Sequence, residues 1–453
     1  MLTFEAVKLS RPDLFFLAIT LLLCSWHLDA SFNANTVSRA AMVAAVVEHG
    51  SFQIDLYHEL TADKARIGDH YYSEKAPLPS LVMIPFWWLV TTIGLSQPGT
   101  NGLLTESLLR WSGFICASIP LALIMLWTWR RLRLKQLPIT DSWMAMLPFL
   151  GSFLFVYSGS FYGHLIAGMF VLFAWDRTVK GDFFVAGIFS SAAVLCEYSL
   201  FVFPMIWCIQ LLVMRRWNTL KDLVIGGLPA VLVLLAINWS ITSDPFSLAY
   251  SQVDSHADTE RLFGLAFPSL EALAGLLISP FRGMFVFAPV SILCTIVIFQ
   301  RIGKMSLQRI FRHPLILPSV ILILMIASHS MWWGGWAIGP RHLTTVAILV
   351  LAAGLPLLAN RKSLDWIFIV LCFLGVAVNF AAKNTIGYSA PTEIKDPINE
   401  LILPAFFEGR FTEGQLPVLA GIDPTASTIA FFLIFVLSLI ALRVIDRKMG
   451  SRL

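Results

Sequence analysis

Apolar stretches of bilayer-crossing length, about 17 to 25 residues in the ordinary case, recur along the whole chain. They can be placed near 13–29, 111–129, 138–157, 163–178, 183–199, 200–214, 222–240, 283–300, 314–331, 342–360, 364–381 and 426–443, which predicts twelve spans. A thirteenth apolar stretch, 76–95, contains Pro77, Pro79 and Pro85. Prolines interrupt a straight span, so this stretch is expected to lie in or re-enter the outer interface. Three polar segments are far longer than turns: 29–76, 241–282 and 382–425. A scaffold of spans needs only short connections, so long ones point to function. Within the first of them, Val37 to Val47 has an apolar face at helical spacing. That pattern predicts an amphipathic helix lying flat on the outer leaflet.

Composition narrows the class. Of 453 residues, 57% are hydrophobic and 13% charged, against about a quarter charged in soluble domains. Mean hydropathy is +0.76. A soluble globular protein, collagen, disorder and a secreted disulfide scaffold are excluded. The expected fold is an all-α integral membrane protein, a polytopic bundle of 12 to 13 spans forming one unit over residues 1–453. The six cysteines, Cys24, Cys116, Cys196, Cys208, Cys294 and Cys372, lie in or beside apolar runs. They read as small core hydrophobes without metal-ligand or disulfide spacing.

Charge sets the orientation. Basic clusters at Arg130 to Lys135, Arg215 to Lys221, Arg301 to Arg312, Arg361–Lys362 and Arg443 to Arg452 are expected on the cytoplasmic side, by the positive-inside rule. Lys8 and Arg11 place the N-terminus on the same side, and both termini are then cytoplasmic. The apolar stretch after Arg11 lacks a convincing small-residue cleavage site and reads as a retained first span. The outer face is acidic.

The first long loop concentrates Asp29, Asp55, Glu59, Asp63, Asp69 and Glu74 with Arg39, Lys64, Arg66 and Lys75. A solvated loop accounts for any one of them. Together they suit chemistry at a membrane surface, because a carboxylate can take a proton from an attacking hydroxyl. A lysine or arginine can hold a lipid phosphate. Glu197, near the outer end of a span, must pair with a partner or line a cavity. His164 opens a span and reads as an interfacial cap or a site residue. In Trp332 to His342 the glycines permit a tight backbone, and the tryptophans can anchor at the interface or stack on sugar rings. Arg341 faces the compartment of Lys75 and is a second candidate phosphate contact. His256 with Asp254 and Asp258 could hold a divalent cation, although a solvated loop is the stronger reading. No cofactor is otherwise indicated, and no nucleic-acid partner.

The layout resembles the C-fold (GT-C) glycosyltransferases that draw a sugar from a polyprenyl-phosphate carrier, among them protein O-mannosyltransferases and the aminoarabinose transferases of lipid A. It rests on a first span, then a long outer loop whose amphipathic helix ends at His49-Gly50, then Tyr72-Ser73-Glu74-Lys75-Ala76-Pro77-Leu78. Tyr162-Gly163-His164, Cys196-Glu197-Tyr198, Ser279 to Gly283 and Trp332 to His342 are similar to segments of uncharacterised bacterial members. The resemblance implies donor contacts by Lys75, Arg341, Tyr72 and His342, with Asn35, Arg39, His164, Glu197 and Trp333 lining the site. Where the family places its aspartate, this chain has Asn35, and an amide cannot act as a base. Asp63 ranks first as the replacement, then Asp55 and Asp29.

These readings converge on a membrane glycosyltransferase of a bacterial inner membrane. It would move a sugar, with inversion, from a polyprenyl-phosphate donor to a lipid, glycan or protein acceptor outside the cytoplasm, with membrane lipids as its surroundings. Rivals are a transporter or lipid flippase, a polysaccharide ligase or polymerase using a lipid-pyrophosphate donor, and a non-catalytic assembly factor.

Overall fold

A computed structural model describes residues 9–99, 102–133, 141–252, 266–359, 361 and 364–450. Lys8 and the Asp254, His256, Asp258 group lie outside these. Among the described residues, apolar sequence becomes helix throughout, and the chain is an all-α membrane protein with a single two-stranded hairpin. Among the described residues five helices are long and apolar enough to cross a bilayer: Glu106–Arg133, Trp217–Thr242, Arg341–Leu358, Asp365–Asn384 and Pro424–Lys448. Outward-facing Leu232, Trp239, Leu374 and Leu437 are more than half exposed in the isolated chain, an apolar surface that suits lipid and not water.

Other apolar stretches are interrupted where the sequence predicts continuity. The 138–157 stretch divides into Asp141–Leu150 and Phe153–Val156, with Ser152 extended between them. The 283–300 stretch divides into Met284–Phe287 and Val290–Ile302, separated by non-helical Ala288 and by Pro289, which has no N–H to continue the ladder. Helices approach closely where side chains are absent. A Cβ on Gly187 would sit 2.2 Å from the Leu223 carbonyl oxygen, and one on Gly226 would sit 2.0 Å from that of Phe184. This is the small-residue packing that brings membrane helices together.

The helix expected at 37–47 forms as Ala34–His49, capped by the Asn33 side chain and ended by Gly50 at φ +68°. It does not lie flat on a leaflet. Thr36 through Ala45 are all buried by protein, because the helix packs on Leu78–Thr92 and Glu106–Gly113. The proline-rich stretch is one helix, Leu78–Thr92. Pro77 and Pro79 fall at its start, where a missing N–H costs nothing, and Pro85 is accommodated inside. At 1.5 Å per residue it is roughly 22 Å long, short of the ~30 Å hydrocarbon core.

The bundle has two chemically distinct ends. At one, Arg133 pairs with Asp13 at 2.9 Å and Lys180 with Asp176 at 2.6 Å. The other end is reached along His164–Lys180, a helix about 25 Å long, and gathers the long loops. There the last loop is tied to the first span, Leu416 N–H donating to Trp26 O at 2.8 Å and Leu28 N–H to Gly414 O at 3.0 Å.

Candidate active site at the loop end

The first loop folds into a hairpin, Lys64–Ile67 with His70–Ser73, turned by Gly68-Asp69. Gly68 takes the left-handed φ of +62° that such two-residue turns require. Register sets the neighbours at its open end. Lys64 pairs with Ser73, so the residues just beyond, Asp63 and Glu74–Lys75, emerge side by side. Asp63 and the Lys75 ammonium lie 2.7 Å apart, and Glu74 pairs with Lys75 as well. The Glu74 side chain is buried, with Oε2 left unpartnered.

Asp55 goes elsewhere. It accepts from Tyr71 N–H and faces His70 Nδ1, each at 2.6 Å. Those residues sit at the turn end, roughly 10 Å from Asp63 by strand rise. Lys64 donates to the His58 carbonyl at 2.7 Å. Tyr72 is buried, its backbone paired with Ala65 and bridged to Gln53, which makes it part of the hairpin frame.

Behind the hairpin, the buried loop helix presents Arg39. Its guanidinium reaches Glu197 Oε1 at 3.2 Å, donates to Ala76 O at 2.8 Å and approaches Asn35 Oδ1 at 3.4 Å. Asn35 therefore orients this arginine. Glu197 stands in an extended break after Phe183–Cys196, which frees its carboxylate to reach His164 Nδ1 as well, at 3.3 Å. The ring of His164 stacks on Tyr162 and meets His342 edge-on, centroids 5.7 Å apart.

Arg341 completes the cluster from the tryptophan-glycine turn. Its Nη1 donates to Tyr162 Oη at 3.1 Å, and it lies within electrostatic reach of Asp63 and Glu197. Glu197 in turn feels Arg39, Lys75 and Arg341. Two distant stretches of sequence thus meet at one place. Among the described residues Arg341 forms no ion pair within 4.0 Å, and Arg341 Nε and His164 Nε2 are buried without a partner. Buried polar groups are rarely left unpaired, and an arginine nitrogen without one is a place for an anion.

Asp29 forms a second arm. It accepts from Ser31 Oγ at 2.8 Å, and Ser31 Oγ meets Tyr388 Oη at 3.2 Å, with the Tyr388 ring edge-on to Tyr162, centroids 5.1 Å apart. Ser31, Tyr388 and Tyr162 thereby lie in succession between Asp29 and Arg341. Burial pushes the Asp29 carboxyl above its ordinary range, with Ser31 and the nearby Lys383 only partly offsetting this. Lys383 itself is buried, donating to Val156 O at 2.9 Å and to Ser158 O. Trp333 is half-buried in a neighbouring groove.

Sequence reasoning missed Glu74, Tyr162, Tyr388 and Lys383 as members of this polar network. Glu74 was legible beside Lys75. Tyr388 and Lys383 come from the last loop and its helix, and no spacing connects them to Asp29. Among the described residues no group of three His, Cys, Asp or Glu is placed to hold a metal ion. All six cysteines are free, five of them buried. Comparison with known proteins finds no matching family model and no matching curated sequence.

Proposed function

We propose that the chain is an integral membrane glycosyltransferase that takes a sugar from a polyprenyl-phosphate donor and passes it to an acceptor on the outer face of a bacterial inner membrane. In this reading the loop end faces outward, and the basic end and both termini are cytoplasmic. The 12 to 13 apolar stretches make a GT-C-like bundle, with the short helices penetrating part of the bilayer. The observation that carries the reading is the half-buried, ion-pair-free Arg341 with its buried and orphaned Nε, set in one cluster with Asp63–Lys75, His164 and Glu197.

The donor phosphate would be held by Arg341 and by Lys75, whose ammonium has a third N–H beyond those given to Asp63 and Glu74. Asp63 is the favoured base, being 30% exposed beside Lys75. It takes the acceptor hydroxyl proton as the oxygen attacks the sugar carbon, and the bond to the phosphate oxygen breaks with inversion. The charge that develops on the departing phosphate is met by cations already in position. An outer site has no access to cytoplasmic nucleotide sugars, which favours a lipid-linked donor.

The test is transfer from a radiolabelled polyprenyl-phosphate sugar into membranes or reconstituted vesicles. Arg341→Ala should lower it by about 10²-fold or more, and Lys75→Ala comparably. Full activity in either variant contradicts the phosphate roles.

A further inference from the structure

Beside the charged cluster lies a cavity of about 860 Å³, lined by residues of the 241–282 and 382–425 segments and of the tryptophan-glycine turn between them. Its floor and walls are Phe281, Trp332 and Trp333, and its rim carries Glu271, Glu393 and Lys395. The rings form corners. Phe281 meets Trp332 at 90° with centroids 6.2 Å apart, and Trp332 meets Trp333 at 85° and 5.8 Å. The corners are fixed by packing. A Cβ on Gly275 would lie 2.1 Å from the Trp332 ring, so the helix Leu270–Leu277 lies flush against it. Arg282, fully buried, donates to Phe281 O at 2.9 Å, Gly335 O at 3.1 Å and Ala390 O at 3.2 Å. One guanidinium thereby binds together the three segments that build the groove.

We infer that this groove binds a saccharide, the sugar acceptor, separately from the donor phosphate. Phe281 is capped by Arg282 and Lys395, 3.9 and 4.4 Å from its centroid, so the tryptophan faces are the ones to pack against the CH face of a pyranose, while the two carboxylates and the remaining N–H groups of the ammonium on the rim match its hydroxyls. A hydrocarbon tail has no use for such a rim. The volume falls within the range of ligand sites, about 300 to 1,000 Å³, and accommodates more than a single sugar ring. Continuity gives the direction. Trp333 precedes Gly334, at which a Cβ would be 2.9 Å from the His342 ring and 3.1 Å from Arg341 Nε. A saccharide stacked on Trp333 would therefore lie next to the anion site. The assignment as acceptor rests on the transferase reading, but saccharide binding does not.

Saturation-transfer NMR on the protein in nanodiscs, with maltotriose, mannotriose and chitotriose as probes and no donor present, separates the two. At least one trisaccharide should take up saturation at its ring CH protons. Trp333→Ala should weaken that binding about tenfold, Trp333→Phe should restore most of it, and the exposed-rim change Glu393→Ala should weaken it without touching the fold. Lys75→Ala should keep saccharide binding while losing transfer. If none of the three binds, or if binding survives both Trp333→Ala and Glu393→Ala, the inference is overturned. Displacement of the bound trisaccharide by farnesol would give the groove to the donor's tail and overturn it equally. If no transfer is ever found, a tryptophan-dependent saccharide signal still stands, so the two failures are distinguishable.

Discussion

At Gly163 the charged cluster closes because there is no side chain. A Cβ there would lie 2.6 Å from both Cys196 O and Glu197 Oε1, and 3.1 Å from Arg39 Nη2. Gly163→Ala is expected to destabilise by about 1–3 kcal/mol and to lower transfer more steeply than stability, as read by thermal unfolding in detergent beside the transfer assay. Asp29 supplies a pH signature. Its carboxyl is raised by burial, so the folded state holds its proton to higher pH than the unfolded chain does. Stability then falls as pH rises from the ordinary carboxylate range through the raised value. Asp29→Asn should flatten that part of the unfolding profile and leave neutral-pH stability equal or higher. If Asp29 rather than Asp63 serves as the base, activity runs the opposite way, rising through the same window. Asp63→Asn with transfer intact, together with loss of transfer in Asp29→Asn, would move the base to Asp29.

Among the elements, the hairpin most directly sets the site, because its register and not its side chains brings Asp63 to Lys75. Gly68→Val asks a β-branched residue to adopt φ +62°. It should cost about 1–2 kcal/mol and reduce transfer through a displaced Lys75, an effect that Gly68→Asn should largely avoid. The signal for this element was present in the sequence, since Gly-Asp between Ala65-Arg66-Ile67 and His70-Tyr71-Tyr72 is a hairpin turn. It was hidden by reading the segment for its charges. The long helices were plain from apolar length, and the loop helix from its period and from Gly50. Its burial was not, because an amphipathic stripe seeks an apolar partner, and whether protein or lipid supplies that partner is a matter of tertiary packing. The break at Glu197 falls two residues from the boundary drawn between the 183–199 and 200–214 spans, whereas that at Ser152, beside Gly151 and closed by local bonds to Phe149, was hidden within one apolar run.

At the scale of the molecule, Arg39, Asp63, Lys75, His164, Glu197 and Arg341 come from the first loop, two helix ends and a turn far down the chain. The residue types were legible one at a time; their meeting depends on helix lengths and crossings that no spacing records. The same long-range order yields a topological prediction. Single cysteines at Asp69 and Asn399, in a chain otherwise free of cysteine, should react with an impermeant maleimide from the outer side of intact cells. Cysteines at Arg216 and Lys304 should react only after the membrane is opened. Labelling of Asp69 and Arg216 from one side contradicts the orientation.

The hairpin has a practical corollary. Hydrogen bonding fixes its base, Asp55 pins its shoulder through Tyr71 and His70, and its tip at Gly68-Asp69 stands in solvent. A fluorophore attached to a cysteine at Asp69, with the turn's length kept, would project away from the chemistry and should report on the working protein without disturbing it.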